Sequence, residues 1–415
     1  MNASSPESGE ERWPWNATWP LLLLTLISVF NYLDRSLLGL ALPRIKEEFA
    51  ASDTALGLVT GMAFVVLYSI IGLPIAWLAD RANRRNIIAA GLAFWSLMTV
   101  ATGYVSSMVQ LAAARLLLGA GEAAALPPAN SIIADLFPPS RRPLALAIFG
   151  TANSIAFIAL FPIAGWVAQT YGWRQMFIVM GAPGLLLAPL LLLTVREPAR
   201  IIAAPPRLNG SARAVLKGVF ALFGNRCYRW LFVGVTLMGA NIWAAGAWTP
   251  TFFNRVHGMN LSEVANTIGP VRGIVSAAGI LAGGLLIDRI PAHRQSWRLM
   301  LPALACLLAG PAEAILLLGD SKPVWFFGLA AASFLTLIHQ GPVYAATVNI
   351  VAPDQRALAV ATLLFGASFL GNVIGPTAVG MLNDALTPTY GDAAVRYSML
   401  LIAITPIAAA LCLGR

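Results

Sequence analysis

Charge is scarce in this chain of 415 residues: Asp, Glu, Lys and Arg together make up 11%, against roughly 25% in an ordinary soluble domain. Hydrophobic residues make up 58%, which excludes a water-soluble globule and places the chain in lipid. The three cysteines, Cys227, Cys306 and Cys412, lie far apart at no metal or redox spacing and are expected to pack as small apolar residues. No Walker A string, HExxH or GxSxG occurs, so nothing points to an ATPase or to a hydrolase of those types. No nucleophile and base stand at a recognisable spacing, and the chain is expected not to be an enzyme. No metal site is expected either.

Long apolar runs dominate instead. A hydrocarbon core about 30 Å thick needs roughly 20 apolar residues per helical crossing. A membrane β-barrel would show short alternating segments, whereas "LLAPLLLLTV" is apolar on every side. Twelve spans are predicted. The first six are Trp19 to Pro43, Leu56 to Ala79, Ile87 to Ser106, Val109 to Leu136, Leu144 to Gln169 and Met176 to Val195. The last six are Trp230 to Phe253, Val264 to Ile287, Leu299 to Leu318, Val324 to Val351, Ala357 to Leu382 and Tyr397 to Leu413.

This divides the chain into an N-terminal tail (1–18), a six-helix bundle (19–195), a basic linker (196–229) and a second six-helix bundle (230–415). The linker carries Arg196, Arg200, Arg207, Arg213, Lys217, Arg226 and Arg229. Basic residues concentrate on the side of the membrane that holds the linker, so the positive-inside rule puts both termini in the cytosol. The net charge of +9 is thereby accounted for without a nucleic-acid partner.

The two bundles repeat each other at an offset of 214 residues: "PSRRPLALA" at Pro139 aligns with "PDQRALAVA" at Pro353, Pro128 with Pro342 and Pro162 with Pro376. "ADRANRR" (Ala79 to Arg85) likewise answers "IDRIPAH" (Ile287 to His293). An even number of spans separates the copies, which makes them parallel repeats with a binding site expected between them near the midplane.

An ionisable side chain inside a span costs several kcal/mol and is a functional candidate by default. Asp34, Arg35, Arg115, Glu122, Arg272 and His339 are such residues. Asp34 and Arg115 have similar depths, so they either form an ion pair across the cavity or face water separately. Glu122 follows Arg115 by two helical turns on nearly the same face, about 10 Å away along the axis. It has no local counter-ion in the sequence, and two outcomes are open: a proton carrier that exchanges with Asp34, or a permanently neutral carboxyl bonded between helices. Arg35 projects about 100° from Asp34, so the two cannot face the same point of the cavity and one of them is expected to face a neighbouring helix. Arg272 either holds an anionic head group or snorkels to the interface. His339 is either a titrating group or a packing residue. "GAGEAA" (Gly119 to Ala124) has dinucleotide-fingerprint spacing but no preceding strand, and its small residues are read as helix-packing positions.

"GLPIAWLADRANRR" (Gly72 to Arg85) resembles the signature loop of the major facilitator superfamily, with Ala76 and Asn83 in place of the usual glycines. The resemblance implies a cytosolic gate formed by Asp80, Arg81, Arg84 and Arg85, with Asp288 and Arg289 from "GGLLIDR" in the second half. "RLLLGAGEA" (Arg115 to Ala123) is similar to the superfamily's fourth-span motif, whose arginine is linked to proton coupling. "NYLDR", "ALPRIKEEF", "SIIADLF", "GWR", "VREPAR" and "WTPTFFNR" together look like the spinster family of lysolipid and sphingolipid transporters; organic-anion symporters share "NYLDR". Span five has "LFPIAGW" where the antiporter motif would have a glycine-proline pair, leaving the direction of coupling open.

The resemblance implies a proton-coupled carrier with Asp34, Glu122 and Arg115 as coupling residues, protons as the only cofactor, and a monomer surrounded by membrane lipid. Arg35, Asp34, Arg115, Glu122 and Arg272 would meet the head group of an amphipathic lipid. Phe64, Tyr68, Phe157, Trp243 and Trp248 would line its chain. A carrier of small organic anions and a non-transporting lipid receptor or scaffold are the alternatives.

Overall fold

The computed structural model describes residues 13–200, 212–291 and 295–414. The first twelve residues of the expected tail, Arg207 of the linker and His293 of the second loop motif lie outside the described residues.

Helices start where the sequence supplies a side chain to hold their free N–H groups. Ser52, Asn83, Ser107 and Asn225 each accept a backbone N–H of the following turn. Asn260 and Glu263 form a reciprocal capping box. Twelve crossings result: α1 (Trp15–Phe49), α2 (Asp53–Ala79), α3 (Arg84–Thr102), α4 (Met108–Leu136), α5 (Arg142–Tyr171) and α6 (Trp173–Thr194). The second set is α7 (Arg226–His257), α8 (Leu261–Asp288), α9 (Gln295–Leu318), α10 (Lys322–Ile350), α11 (residues 356–390) and α12 (residues 394–413).

The helical run from Arg356 to Leu413 has 58 residues, far more than one crossing needs. Gly391, in the left-handed region with φ 56°, turns the chain there and divides the run in two. The expectation of twelve spans therefore holds. Helix ends reach beyond the apolar runs, because α1 continues through the charged segment to Phe49. A separate linker helix occupies Ala212–Gly224, and α7 starts at Arg226, inside the segment read as linker.

The repeat is visible in backbone geometry. Both α4 and α10 are interrupted, and the helix resumes at Leu126 in one and Gln340 in the other, the same offset of 214 seen in the sequence. Four helices carry one wide π-helical turn: Val59–Ala63 in α2, Ala156–Leu160 in α5, Val271–Val275 in α8 and Gly366–Leu370 in α11. These helices meet across the halves, α2 against α11 and α5 against α8, and α1 also packs against α7. Glycine allows their backbones to touch. A side chain at Gly57 or Gly61 would run into the backbone of Pro376 or Asn372, and one at Gly269 into the carbonyl of Phe157.

Candidate functional site

Two regions stand out, one inside the first bundle and one where the halves meet at the end remote from the termini.

The first region is built from α1 and α4. The break in α4 places Glu122 at the last position of a half-helix, just before Pro127 and Pro128, which have no N–H to continue the backbone ladder. A helix C-terminus is the negative end of the dipole and favours a cation nearby. Arg35 of α1 supplies it: its Nε donates to Glu122 Oε2 at 2.7 Å, and its Nη2 donates to Asn31 Oδ1 at 3.1 Å. Aromatic rings surround the same guanidinium, whose carbon lies 5.0 Å from the Tyr68 ring centroid and 5.3 Å from that of Phe64. Deeper along α4, Arg115 donates to the backbone carbonyl of Asp34 at 3.2 Å and lies 5.6 Å from the centre of the Phe64 ring.

This arrangement revises the expected pairing. Glu122 has a counter-ion after all, and it is Arg35. Arg115 meets the Asp34 backbone rather than closing an ion pair with its carboxylate. Neighbouring positions on α1 point in different directions, so Arg35 bonds Glu122 of α4 directly while the Asp34 carboxyl lies within the fields of Arg115 and Glu122. Of the two, it is Arg35 that meets a side chain of α4.

Asp34, Arg115 and Glu122 are all buried. Four atoms among them and their neighbour have no hydrogen-bond partner among the described residues: Asn31 Nδ2, Asp34 Oδ1, Arg115 Nε and Glu122 Oε1. Two are donors and two acceptors. Buried polar groups without partners are costly, and a cluster of both kinds suits water or a polar head group. The small residues nearby act as packing positions, with Gly119 against the backbone of Phe64 and Gly121 against Trp95.

The remaining candidates lie apart. Arg272 does not snorkel; its Nη2 donates to the Ala245 carbonyl at 2.7 Å and lies 3.2 Å from Thr249 Oγ1, both on α7. His339 occupies the break in α10, with Nδ1 2.6 Å from the Thr336 carbonyl. Trp248 is fully buried and donates to the Pro376 carbonyl at 2.9 Å, which makes it a packing residue in this conformation, whereas Trp243 is half-buried. Phe157 stacks obliquely on Phe161.

At the termini end, three motifs that are distant in sequence interlock. Arg84 pairs with Asp135 at 2.5 Å and with Glu197 at 2.7 Å, and it also donates to Ser131 and to the Pro198 carbonyl. Arg85 donates to the Leu192 and Val195 carbonyls, and Arg81 covers the Trp77 ring at 4.2 Å. These partners belong to the first bundle and the start of the linker. Asp80 lies exposed at the end of α2, and Asp288 and Arg289 sit at the corresponding end of α8.

The opposite end is clamped across the halves by residues that sequence reading did not single out. Asp53, fully buried at the start of α2, accepts from Lys46 at 2.9 Å and from both Nη atoms of Arg255 on α7 at 2.8 and 2.9 Å. The free N–H groups of Asp53 and Thr54 donate to the Asp384 carboxylate of α11 at 2.9 and 2.8 Å, joined by the Thr54 hydroxyl at 2.6 Å. A carboxylate at a helix N-terminus is favoured by both the dipole and the unpaired donors. Two elements of the second half thus grip one helix end of the first. The halves are locked together here, so the conformation is closed at this end.

Comparison with known proteins completes the description. Residues 24–376 match the family model of the Major Facilitator Superfamily. An MFS-type efflux pump of Mycolicibacterium smegmatis is 33% identical over 94% of this chain and 90% of its own. A probable galactarate/D-glucarate transporter of Bacillus subtilis is 28% identical over 65% of this chain and 64% of its own. A solved structure of a bacterial homologue of the human lysosomal transporter spinster, in an inward-facing and occupied conformation, superposes with a TM-score of 0.84 at 27% identity and covers 97% of both chains.

Proposed function

The chain belongs to the major facilitator superfamily, and on that premise we propose a proton-coupled secondary transporter of lysophospholipid- or sphingolipid-type substrates, such as sphingosine-1-phosphate, working by alternating access. The observation that carries this reading is the Arg35–Glu122 ion pair, buried beside unpartnered atoms of Asp34 and Arg115 and flanked by Phe64 and Tyr68. A proton delivered to Glu122 cancels its charge and releases Arg35. The freed guanidinium, with Arg115, then meets an anionic head group, for which arginine's planar fork is suited. Loss of the proton restores the ion pair and expels the head group. Asp34, whose Oδ1 is unpartnered, passes the proton to or from Glu122 as the cavity changes sides. The aromatic rings beside Arg35 continue as a wall for the apolar chain.

With both termini in the cytosol, as the distribution of basic residues supports, the clamp at Asp53 seals the outer side and the conformation faces inward. The gate residues Asp80, Arg81, Arg84 and Arg85, with Asp288 and Arg289, would close the inner side in the other half of the cycle. The protein acts as a monomer in the lipid bilayer and takes no cofactor beyond the proton.

A second reading, transport of small organic anions, is favoured by the likeness to the B. subtilis sugar-acid transporter, but that likeness spans 65% of the chain against 97% for the spinster homologue. Counterflow in proteoliposomes separates the two. Labelled lysolipid should exchange with unlabelled lysolipid but not with galactarate, and a pH gradient should drive its accumulation. Accumulation unaffected by Glu122→Gln would refute the coupling role. Exchange of galactarate alone would refute the lipid reading, and absence of any flux would leave a receptor.

A further inference from the structure

The second bundle holds a buried carboxyl that this exchange between Asp34 and Glu122 does not use. Glu313 lies on α9 and is 6% exposed. Both its oxygens face a single amide: Asn241 Nδ2 of α7 stands 2.8 Å from Oε1 and 2.9 Å from Oε2. The same nitrogen is 2.9 Å from the Ile402 carbonyl of α12. Three acceptors therefore share one NH₂ group, which has two hydrogens. With one given to Ile402, one remains for two carboxyl oxygens that together accept about four. A carboxylate so placed is short of donors, and a proton is the smallest ligand that relieves it.

The surroundings add one charge. Arg272 of α8 exerts its field on Glu313 without touching it, and Cys306, seven residues earlier on α9, is the other ionisable group that faces it among the described residues. Among the described residues, none of the ionisable groups on the other helices packed on α9, namely α10 and α12, acts on Glu313. Arg272 and Glu313 are joined through α7: Asn241, which bonds Glu313, and Ala245 and Thr249, which bond Arg272, are successive i+4 positions on one helix face. Fourteen residues beyond Asn241, the same helix carries Arg255 into the clamp on Asp53.

We propose that Glu313 is a second proton-binding site of this protein, and that its protonation state is transmitted along α7 to the Arg255–Asp53 clamp. When Glu313 is ionised, Asn241 and Arg272 hold α7 against α8, α9 and α12. Protonation removes the attraction for Arg272 and loosens that hold, so the helix that closes the far end becomes free to tilt. The link to transport rests on the reading of the chain as a proton-coupled carrier; the proton site itself does not.

The test uses the full-length protein in lipid nanodiscs. Infrared difference spectra between high and low pH should contain a carboxyl C=O band that is lost in Glu313→Gln and displaced, but kept, in Asn241→Ala, which alters only the donor to that carboxyl. Spectra of wild type and Glu313→Gln that superpose at every pH would overturn the site. A measurement on the unaltered chain covers the case in which the variants fail to fold. A lipophilic carbodiimide, which reacts with protonated carboxyls in apolar surroundings, should modify the peptide containing Glu313 with a yield that falls as pH rises. A yield independent of pH would overturn the site as well. Transmission is read by spin labels across the far end, whose separation should change with pH in wild type and not in Glu313→Gln; an equal pH response in both would refute that part. If Glu122→Gln left transport unchanged while the Glu313 signals persisted, the carrier mechanism would fall and the proton site would stand.

Discussion

Replacing Asp53 by Asn tests whether the far-end clamp sets the resting conformation. The substitution keeps size and polarity but removes the charge that Lys46 and Arg255 share. Asp53 is fully buried and the Arg255 side chain is 12% exposed, so Arg255 would be left with an uncompensated charge in the closed state. Breaking a buried pair in this way costs roughly 3–5 kcal/mol. Lys46, at 31% exposure, recovers part of its loss from water, so the lower end of that range applies, about 3 kcal/mol. The Asp384 contacts survive, because they run to backbone N–H groups and to Thr54. The penalty falls only on the closed state, and about 3 kcal/mol moves a two-state equilibrium by roughly a hundredfold. A protein resting almost wholly closed at this end would become a mixture. Spin labels at Glu47 of α1 and Tyr390 of α11, both exposed, would report it by electron–electron distance measurement in nanodiscs, on a background lacking native cysteines. A longer distance should appear in Asp53→Asn. An unchanged distribution would show that backbone packing, not the charge cluster, holds this end shut.

Three further changes examine other parts of the structure. Gly61→Val would press a side chain into the Asn372 carbonyl, so the same label pair should separate with the clamp residues intact; no separation would mean that α2 and α11 yield without parting. Arg35→Lys keeps the charge but loses the fork that reaches both Glu122 and Asn31, and with hydrogen bonds to charged groups worth roughly 1.5–3 kcal/mol, lysolipid counterflow should drop about tenfold or more. Wild-type flux in that variant would argue that a point charge suffices. Arg84→Ala leaves Asp135 without its ionic partner at a nearly inaccessible site, while Glu197 keeps the Arg85 N–H, and thermal unfolding in detergent should show a loss of about 3 kcal/mol; an unchanged melting point would make the interlock of the three motifs dispensable.

Much of the fold was legible because lipid simplifies the code. Apolar runs long enough to cross have to be helices, and the spacing of prolines and of "PSRRPLALA" against "PDQRALAVA" discloses the repeat in the sequence itself. The charged residues of the first bundle were conspicuous for the same reason. Their partners were not: spacing along α4 relates Arg115 to Glu122, but only the approach of α1 brings Arg35 to Glu122. Glu313 satisfies the rule that singles out Glu122, yet it lies five residues before the end of its apolar run and reads locally like a helix-end charge. Lys46 and Arg255 lie in strings that carry the family resemblance, but nothing in the sequence pairs them with Asp53 or brings Asp384 beside them. Charges at helix ends are ordinary, and what makes these four unusual is that two halves more than 200 residues apart converge on one buried aspartate.

The repeat also explains why the ionic site sits on one side. The α4 and α10 helices share a register of 214 residues, with Ser107 and Ser321 at their starts and the break resuming at Leu126 and Gln340. In that register Arg115 corresponds to Leu329 and Glu122 to Thr336. The second copy has kept the interruption and lost both charges, and the Thr336 carbonyl is met by His339 of the same helix. A broken helix is needed in both halves if each is to present a cavity-facing kink, whereas the proposed mechanism calls only once for an ion pair that a proton opens. Duplicating it would add a second desolvation cost without a second substrate to offset it. The buried carboxyl described in the second half, Glu313, comes from α9 instead, where on the proposed mechanism its charge acts on the helix that carries Arg255 to the clamp. On the proposed mechanism that placement would divide the labour between the halves, with binding in one and control of closure in the other.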